Sequence, residues 1–170
     1  MKPSPCLCPV CKLHPLKPRC GAFRSTCPPK PPEPGPCALT GIHVQLKTAA
    51  DSLLEDGQPI NFDTIVNQPG TTIEYNKATG IFTLTKEANY LVNWSIAVEG
   101  SNTSPFIRFA LKVGGEIIGA AAVPISVGVI SGSALVTAAP GTHLALINHT
   151  NDTIRLDAVT PIANLTIVST

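Results

Sequence analysis

Charge is scarce in this chain. Asp, Glu, Lys and Arg make up 14% of its 170 residues, aromatic residues only 5%, and there is one Trp and one Met. A surface so lean in charge predicts burial against other copies, as in a protein that works within an assembly. No run approaches the roughly 18 consecutive apolar residues of a membrane helix, so no membrane partner is expected. The N-terminus has no apolar h-region, and the expectation is that no secretory signal is present. There is no phosphate-binding loop, nucleophile elbow or Asp-x-Asp-x-Asp calcium loop. No basic face studded with aromatics offers itself to nucleic acid. Neither an enzyme nor a bound cofactor is expected. Cysteine, finally, is absent from everything after residue 37.

Before that point cysteine is abundant. Residues 1–37 hold Cys6, Cys8, Cys11, Cys20, Cys27 and Cys37, with eleven of the seventeen prolines. Neither helical nor strand periodicity survives that proline density. The segment cannot bury enough surface to fold alone, so it reads as a connector arm tethered by disulfides, metal or a partner. Its end, Pro28 to Pro36, is a polyproline II spacer reaching roughly 28 Å at about 3.1 Å per residue. One Gly without a Gly-X-Y repeat excludes collagen. Charge is divided too: the arm carries six Lys/Arg against Glu33 alone, the remainder six against ten acids. Arm and body are thus +5 and −4, an arrangement that favours arm-to-body pairing between copies.

The cysteines admit three readings. An even count in a Pro-rich arm favours disulfides. Cys6 and Cys8 are too close to pair comfortably, so their partners lie elsewhere in the arm or in another copy. Cys8-Pro9-Val10-Cys11 resembles half of a zinc knuckle, with Cys20, Cys27 or His14 to complete it, but a second matched pair is missing. Free thiols are the third reading.

Residues 38–170 read as one all-β domain. Strand candidates are Gly41–Lys47, Ile60–Ile65, Thr72–Tyr75, Ile81–Leu84, Tyr90–Val98, Phe106–Val113, Glu116–Ala122, Val127–Val136, Leu144–Asn148, Ile154–Ala158 and Leu165–Ser169. Asp56-Gly57, Pro69-Gly70, Gly114-Gly115, Pro140-Gly141 and Asn151-Asp152 mark turns between them. Thr48–Leu54 fits a short helical turn. So many short strands predict a two-sheet jelly-roll sandwich. Gly119–Ala139, small and nearly uncharged, predicts burial on both sides, in the core or at a subunit interface.

The centre of the pattern is Lys77–Val98. Thr79-Gly80 turns the chain, Ile81–Thr85 is a strand, and Lys86–Asn89 is a polar break. Tyr90, Val92, Trp94, Ile96 and Val98 then share one face of an alternating strand. With Phe82, Tyr90, Val92, Trp94 and Ile96 are the expected core. A Thr-Gly turn, a Phe-bearing strand and a Tyr opening an apolar strand resemble the C1q and tumour-necrosis-factor jelly-roll superfamily. The segment Pro59-Ile60-Asn61-Phe62-Asp63-Thr64 adds likeness to its bacterial branch, the C-terminal domains of collagen-like glycoproteins on bacillus spore surfaces. That branch often has Gly where this chain has Asn89, and Asn tolerates the left-handed turn expected there better than most residues. The resemblance spans about residues 40–170. It implies a compact homotrimer, with one face of each jelly roll around a three-fold axis.

Other candidate chemistry is sparse. His143 and His149 share strand parity on what reads as a polar face, where an axial metal or anion site is the alternative to two solvated side chains. His43 has no partner in sequence. Asp51, Glu55 and Asp56 read as solvated loop acids. The sequons at Asn93, Asn102, Asn148, Asn151 and Asn164 are what an Asn- and Thr-rich β protein produces by chance.

Two functions fit. In the first the chain is a structural subunit, trimeric heads linked head-to-tail by their arms and locked by disulfides into a fibre or layer. An arm could add a strand to a neighbouring head's sheet edge. The resemblance places such a fibre on a spore surface, as an appendage or exosporium filament. It would be made in the mother-cell cytoplasm and could meet a separate spore-surface anchor protein. In the second the head is a C1q-like binding module and the arm only its anchor.

Overall fold

In the computed structural model, the described residues are 39–48, 53–101, 103–124, 128–158 and 161–169. They form twelve strands and, among the described residues, no helix. In chain order these are β1 (Thr40–Leu46), β2 (Leu53–Leu54), β3 (Thr64–Asn67), β4 (Ile73–Asn76), β5 (Ile81–Leu84) and β6 (Ala88–Ser101). The remainder are β7 (Phe106–Val113), β8 (Glu116–Pro124), β9 (Gly128–Ala138), β10 (Thr142–Asn148), β11 (Ile154–Leu156) and β12 (Ala163–Ser169). They make two antiparallel sheets. One orders β2-β11-β6-β12-β1-β3, with β9 on the other edge of β6; the other orders β4-β5-β10-β7-β8. This is a jelly roll.

Alternation builds the core. Along β6 the buried side chains are Tyr90, Val92, Trp94, Ile96 and Val98, and Phe82 and Leu84 come from β5. Phe109 and Leu111 of β7, Leu144 and Leu146 of β10, and Leu165 and Ile167 of β12 complete the core from the two sheets. A buried hydroxyl needs a partner, and Tyr90 Oη donates to the Lys86 carbonyl at 2.7 Å. Tyr75 stacks on Phe82 with centroids 4.4 Å apart, Phe62 packs against both, and Tyr75 Oη donates to the Phe62 carbonyl. Burial, together with the nearby Asp63 carboxylate, raises the Tyr75 hydroxyl to about 12.

The turns fall at the glycine signals. Gly57, Gly70, Gly80, Gly114, Gly115 and Gly141 have positive φ, and Asn151 (φ 61) is the non-glycine residue that does among the described residues. Asn89 does not. It lies inside β6, extended, and its Oδ1 accepts from Thr137 Oγ1 at 2.8 Å, so no left-handed turn is required of it. Of the strand expected over Ile60–Ile65, only Thr64 and Ile65 are strand, at the start of β3. Pro59 bridges Ile147, the Ile60 amide donates to the Leu146 carbonyl, and Ile60 and Phe62 enter the core. Regular pairing with β1 begins only at Thr64. Leu53 and Leu54, expected to be helical, pair instead with β11.

Candidate subunit interface

The inner sides of both sheets are spent on the core, so function is left to the outer faces, the edges and the loops. On the seven-stranded sheet the strand registers align outward residues into rungs across β9, β6, β12 and β1. Leu135, Leu91, Val168 and Gly41 make one rung. Ser133, Asn93, Thr166 and His43 make the next, and Ser131, Ser95, Asn164 and Gln45 a third. Val129 lies outward beyond them, opposite Ala97. None of these residues carries a carboxylate, ammonium or guanidinium group. Leu135 is 71% exposed, Val129 66% and Leu91 44%.

The expectation of two-sided burial for Gly119–Ala139 therefore fails within one chain. β9 alternates, turning Ile130 and Val136 inward and Val129, Ser131, Ser133 and Leu135 outward. Its inward residues shrink to Gly132 and Ala134 where Trp94 lies, because the indole fills that space. A Cβ on Gly132 would fall against Cζ2, with Cε2 at 2.6 Å and Cη2 at 2.8 Å. Trp94 Nε1 is buried there without a hydrogen-bond partner among the described residues.

The face is bordered by a depression. Leu39, Gly41, His43, Asn67, Pro69 and Val168 help line a groove of about 130 Å³ on the β1–β3 side. Gly41 lines it where β12 pairs directly alongside. Any Cβ at position 41 would strike the Ile167 carbonyl oxygen.

No family model matches this chain, and no curated protein matches it. Solved structures do match its fold. Eiger TNF from S. frugiperda superposes at TM-score 0.64 and 16% identity, covering 78% of this chain and 93% of that one. Murine APRIL gives 0.62 at 10%, covering 78% and 99%. The globular domain of zebrafish complement 1qA protein gives 0.55 at 14%, covering 78% and 95%. The fold is thus that of the TNF and C1q jelly rolls.

Within this fold, Phe82, Tyr90, Val92 and Ile96 are fully buried and Trp94 is 4% exposed. The six cysteines and His14 lie outside the described residues, as does Asp51. His143 is exposed and His149 partly so, but the face between them is not polar. Ala145 and Ile147 occupy it and are buried with Ala110 in a small apolar cluster of their own. Glu55 and Asp56 are exposed, and Asp56 Oδ1 accepts from the Asn151 amide at 2.8 Å. Asn148, a sequon asparagine, is fully buried, and its amide donates to the carbonyls of Leu54 and Asp152. Among the described residues, no cluster of three or more His, Cys, Asp or Glu could hold a metal ion.

Sequence reasoning passed over two carboxylates that shape the ends of the sandwich. Asp152 Oδ2 accepts from Ser101 Oγ and from the Thr103 hydroxyl and amide, tying the end of β6 to the chain before β11. Led by the Ser101 hydroxyl, those bonds hold its carboxyl well below the usual carboxylate range. Asp63 gathers the Lys47 and Thr48 amides and the Thr48 and Thr64 hydroxyls. Burial pushes its carboxyl upward, yet the four bonds prevail and bring it down to about 2. Both are structural clasps, each surrounded by donors that serve the backbone.

Proposed function

We propose that this chain is a self-assembling structural subunit. Jelly-roll heads close into a homotrimer through the uncharged face of the seven-stranded sheet. Residues 1–37 link one trimer to the next, locked by disulfides among Cys6, Cys8, Cys11, Cys20, Cys27 and Cys37, to build a fibre or layer on a spore surface. The reading is carried by one observation: across these rungs, four adjacent strands present large aliphatic side chains and no charge, with Glu99 at the far end of β6, beside Arg155, standing outside them. Such a surface can be covered without desolvating any ion. The spore location is supported only by the sequence resemblance to spore-surface domains.

The face also favours a ring. Leu135 projects from β9 at one margin, whereas the groove over Gly41 lies at the β1–β3 margin. A knob and a hole on opposite margins make a heterologous contact, and heterologous contacts close into rings when the rotation allows. Between rings, an arm of charge +5 and a body of charge −4 attract.

Electron microscopy of the full chain beside a chain lacking residues 1–37, each with and without reductant, tests the proposal. Filaments from the full chain and only compact oligomers from the shortened one are expected. Reductant then separates disulfides that build the fibre from disulfides that lock it. Identical discrete particles from both chains would end the polymer reading, leaving the arm as an anchor and the head as a recognition module.

A further inference from the structure

The outer face of the five-stranded sheet holds a second feature, unrelated to assembly. Along β10 the outward residues are His143, Ala145 and Ile147. Above Ala145 lies a depression of about 260 Å³, at the small end of ligand pockets. The registers define its walls. Ile81 stands on the β5 side, Lys112 on the β7 side directly opposite Ala145, and Pro59 bridges Ile147 at one end. His143 and Gly115 close the other end, where the Gly114 amide donates to the His143 carbonyl. The floor is apolar and nearly buried, Ala145 and Ile147 being 8% and 5% exposed although they face outward. Gly57 and Gly115 also line the depression, and a Cβ on either would meet no atom within 4 Å. They leave the space open.

The charge lining this hollow is of one sign. Lys112 is its cation, His143 offers ring nitrogens, and no carboxylate is among the lining residues. Asp56 and Glu116 adjoin the lining glycines Gly57 and Gly115 in the chain but do not line the hollow, and Glu74 sits beyond Thr83 on β4. From this geometry we propose that the hollow is a binding site for a small organic carboxylate. The apolar body, a single ring or short acyl chain, lies on Ala145, Ile147 and Ile81, and its carboxylate meets Lys112 with His143 as a second donor. An ammonium on the rim of an apolar floor recognises that combination better than either part alone. Because the site is on the sheet opposite the uncharged face, it stays open to solvent in a closed ring.

Saturation-transfer NMR on the full chain tests this, since observing the ligand works on assemblies of any size. The probes are benzoate, its neutral counterpart benzamide, and inorganic phosphate. Benzoate is expected to take up saturation, with benzamide bound roughly tenfold more weakly and phosphate no more tightly than benzamide. Lys112→Met keeps the aliphatic stem and removes the charge; it should weaken benzoate roughly tenfold and leave benzamide unchanged. Ala145→Leu fills the hollow and should abolish both, with the fold confirmed by circular dichroism. Benzamide binding as well as benzoate, or Lys112→Met leaving benzoate unchanged, would overturn the proposal. Phosphate competing on equal terms would overturn it as well, since the apolar floor would then contribute nothing.

Discussion

Leu135 and Lys112 are both outward residues of long strands in one sandwich, and they mark two unlike faces. The five-stranded sheet shows solvent Glu74, Arg108, Lys112 and His143 among its outward residues, the ordinary dress of a face that stays wet. Across the rungs of β9, β6, β12 and β1 the seven-stranded sheet shows Ser, Thr, Asn, Gln, His and exposed Leu and Val, and its charged pair, Glu99 with Arg155, sits past them at the β6–β11 end. Inside, the two sheets do the same thing: alternate residues go to a shared core. The difference teaches that fold and partner are written in separate positions of the same strands. Inward residues specify the jelly roll, and the charge census of the outward ones separates a face to be covered from a face to be solvated.

The largest expected effect comes from a pair of glycines, one in each sheet. Gly132→Ala on β9 drives a methyl into the Trp94 indole, which is hemmed in by its own strand. We expect a loss of about 2–3 kcal/mol, read from the denaturation midpoint. Gly119→Ala on β8 meets Ala134 Cβ at 3.5 Å and Trp94 Cη2 at 3.8 Å, which are ordinary contacts. It should be neutral or gain up to about 0.5 kcal/mol by restricting the unfolded chain. If Gly132→Ala cost as little as Gly119→Ala, the indole would be free to move, and the small residues of β9 would answer to something outside the chain.

Next in size is a charge placed on each face. Leu135→Glu should leave the fold of the head intact but weaken association roughly thirtyfold, about 2 kcal/mol, because a carboxylate would be covered without a partner. Thr83→Glu on the opposite sheet should leave association unchanged. Sedimentation velocity across a concentration series reads both. If Leu135→Glu associates like the native chain, the uncharged face is not the interface and the comparison loses its functional meaning.

Much of this was legible in the sequence. Phe106–Val113 and Ile81–Leu84 are strands at the bounds their composition suggests, and every glycine-marked turn turns. What failed did so for physical reasons. Ile60 and Phe62 alternate like a strand, yet their periodicity reflects core insertion from a strap held to β10 by one bridge. Period two reports burial, not a ladder. Asn89 looked like a turn residue because the branch it resembles often has Gly there, whereas in the fold it is extended and its side chain makes a cross-strand contact with Thr137. The interface was half visible: low charge announced a covered surface, but which residues share a rung depends on pairings such as Leu91 with Leu135, far apart in sequence. Gly132 beneath Trp94 was hidden for the same reason, since only the register brings them together.

The smallest expected effect separates the sheets by acid. Both clasping carboxylates, Asp63 and Asp152, tie ends of the seven-stranded sheet, Asp63 at β1 and β3 and Asp152 between β6 and β11. A carboxyl brought from its ordinary 3.8 down to about 2 leaves the folded state with fewer bound protons than the unfolded chain in that window. The linked stability is therefore fully present above about pH 4 and is lost as pH falls through the folded value. Asp152, depressed by its hydroxyl and amide donors, acts in the same direction. Hydrogen exchange at pH 3, compared with pH 6 after correction for intrinsic rates, should show the β1–β3 end and the β6–β11 end opening first, with β7 and β10 still protected. Asp63→Asn and Asp152→Asn should flatten the decline at their own ends and leave the other end titrating, because the two clasps share no partner. Uniform loss of protection across both sheets would show instead that acid acts through the summed charge of the head, and that the difference between its faces stops at the surface.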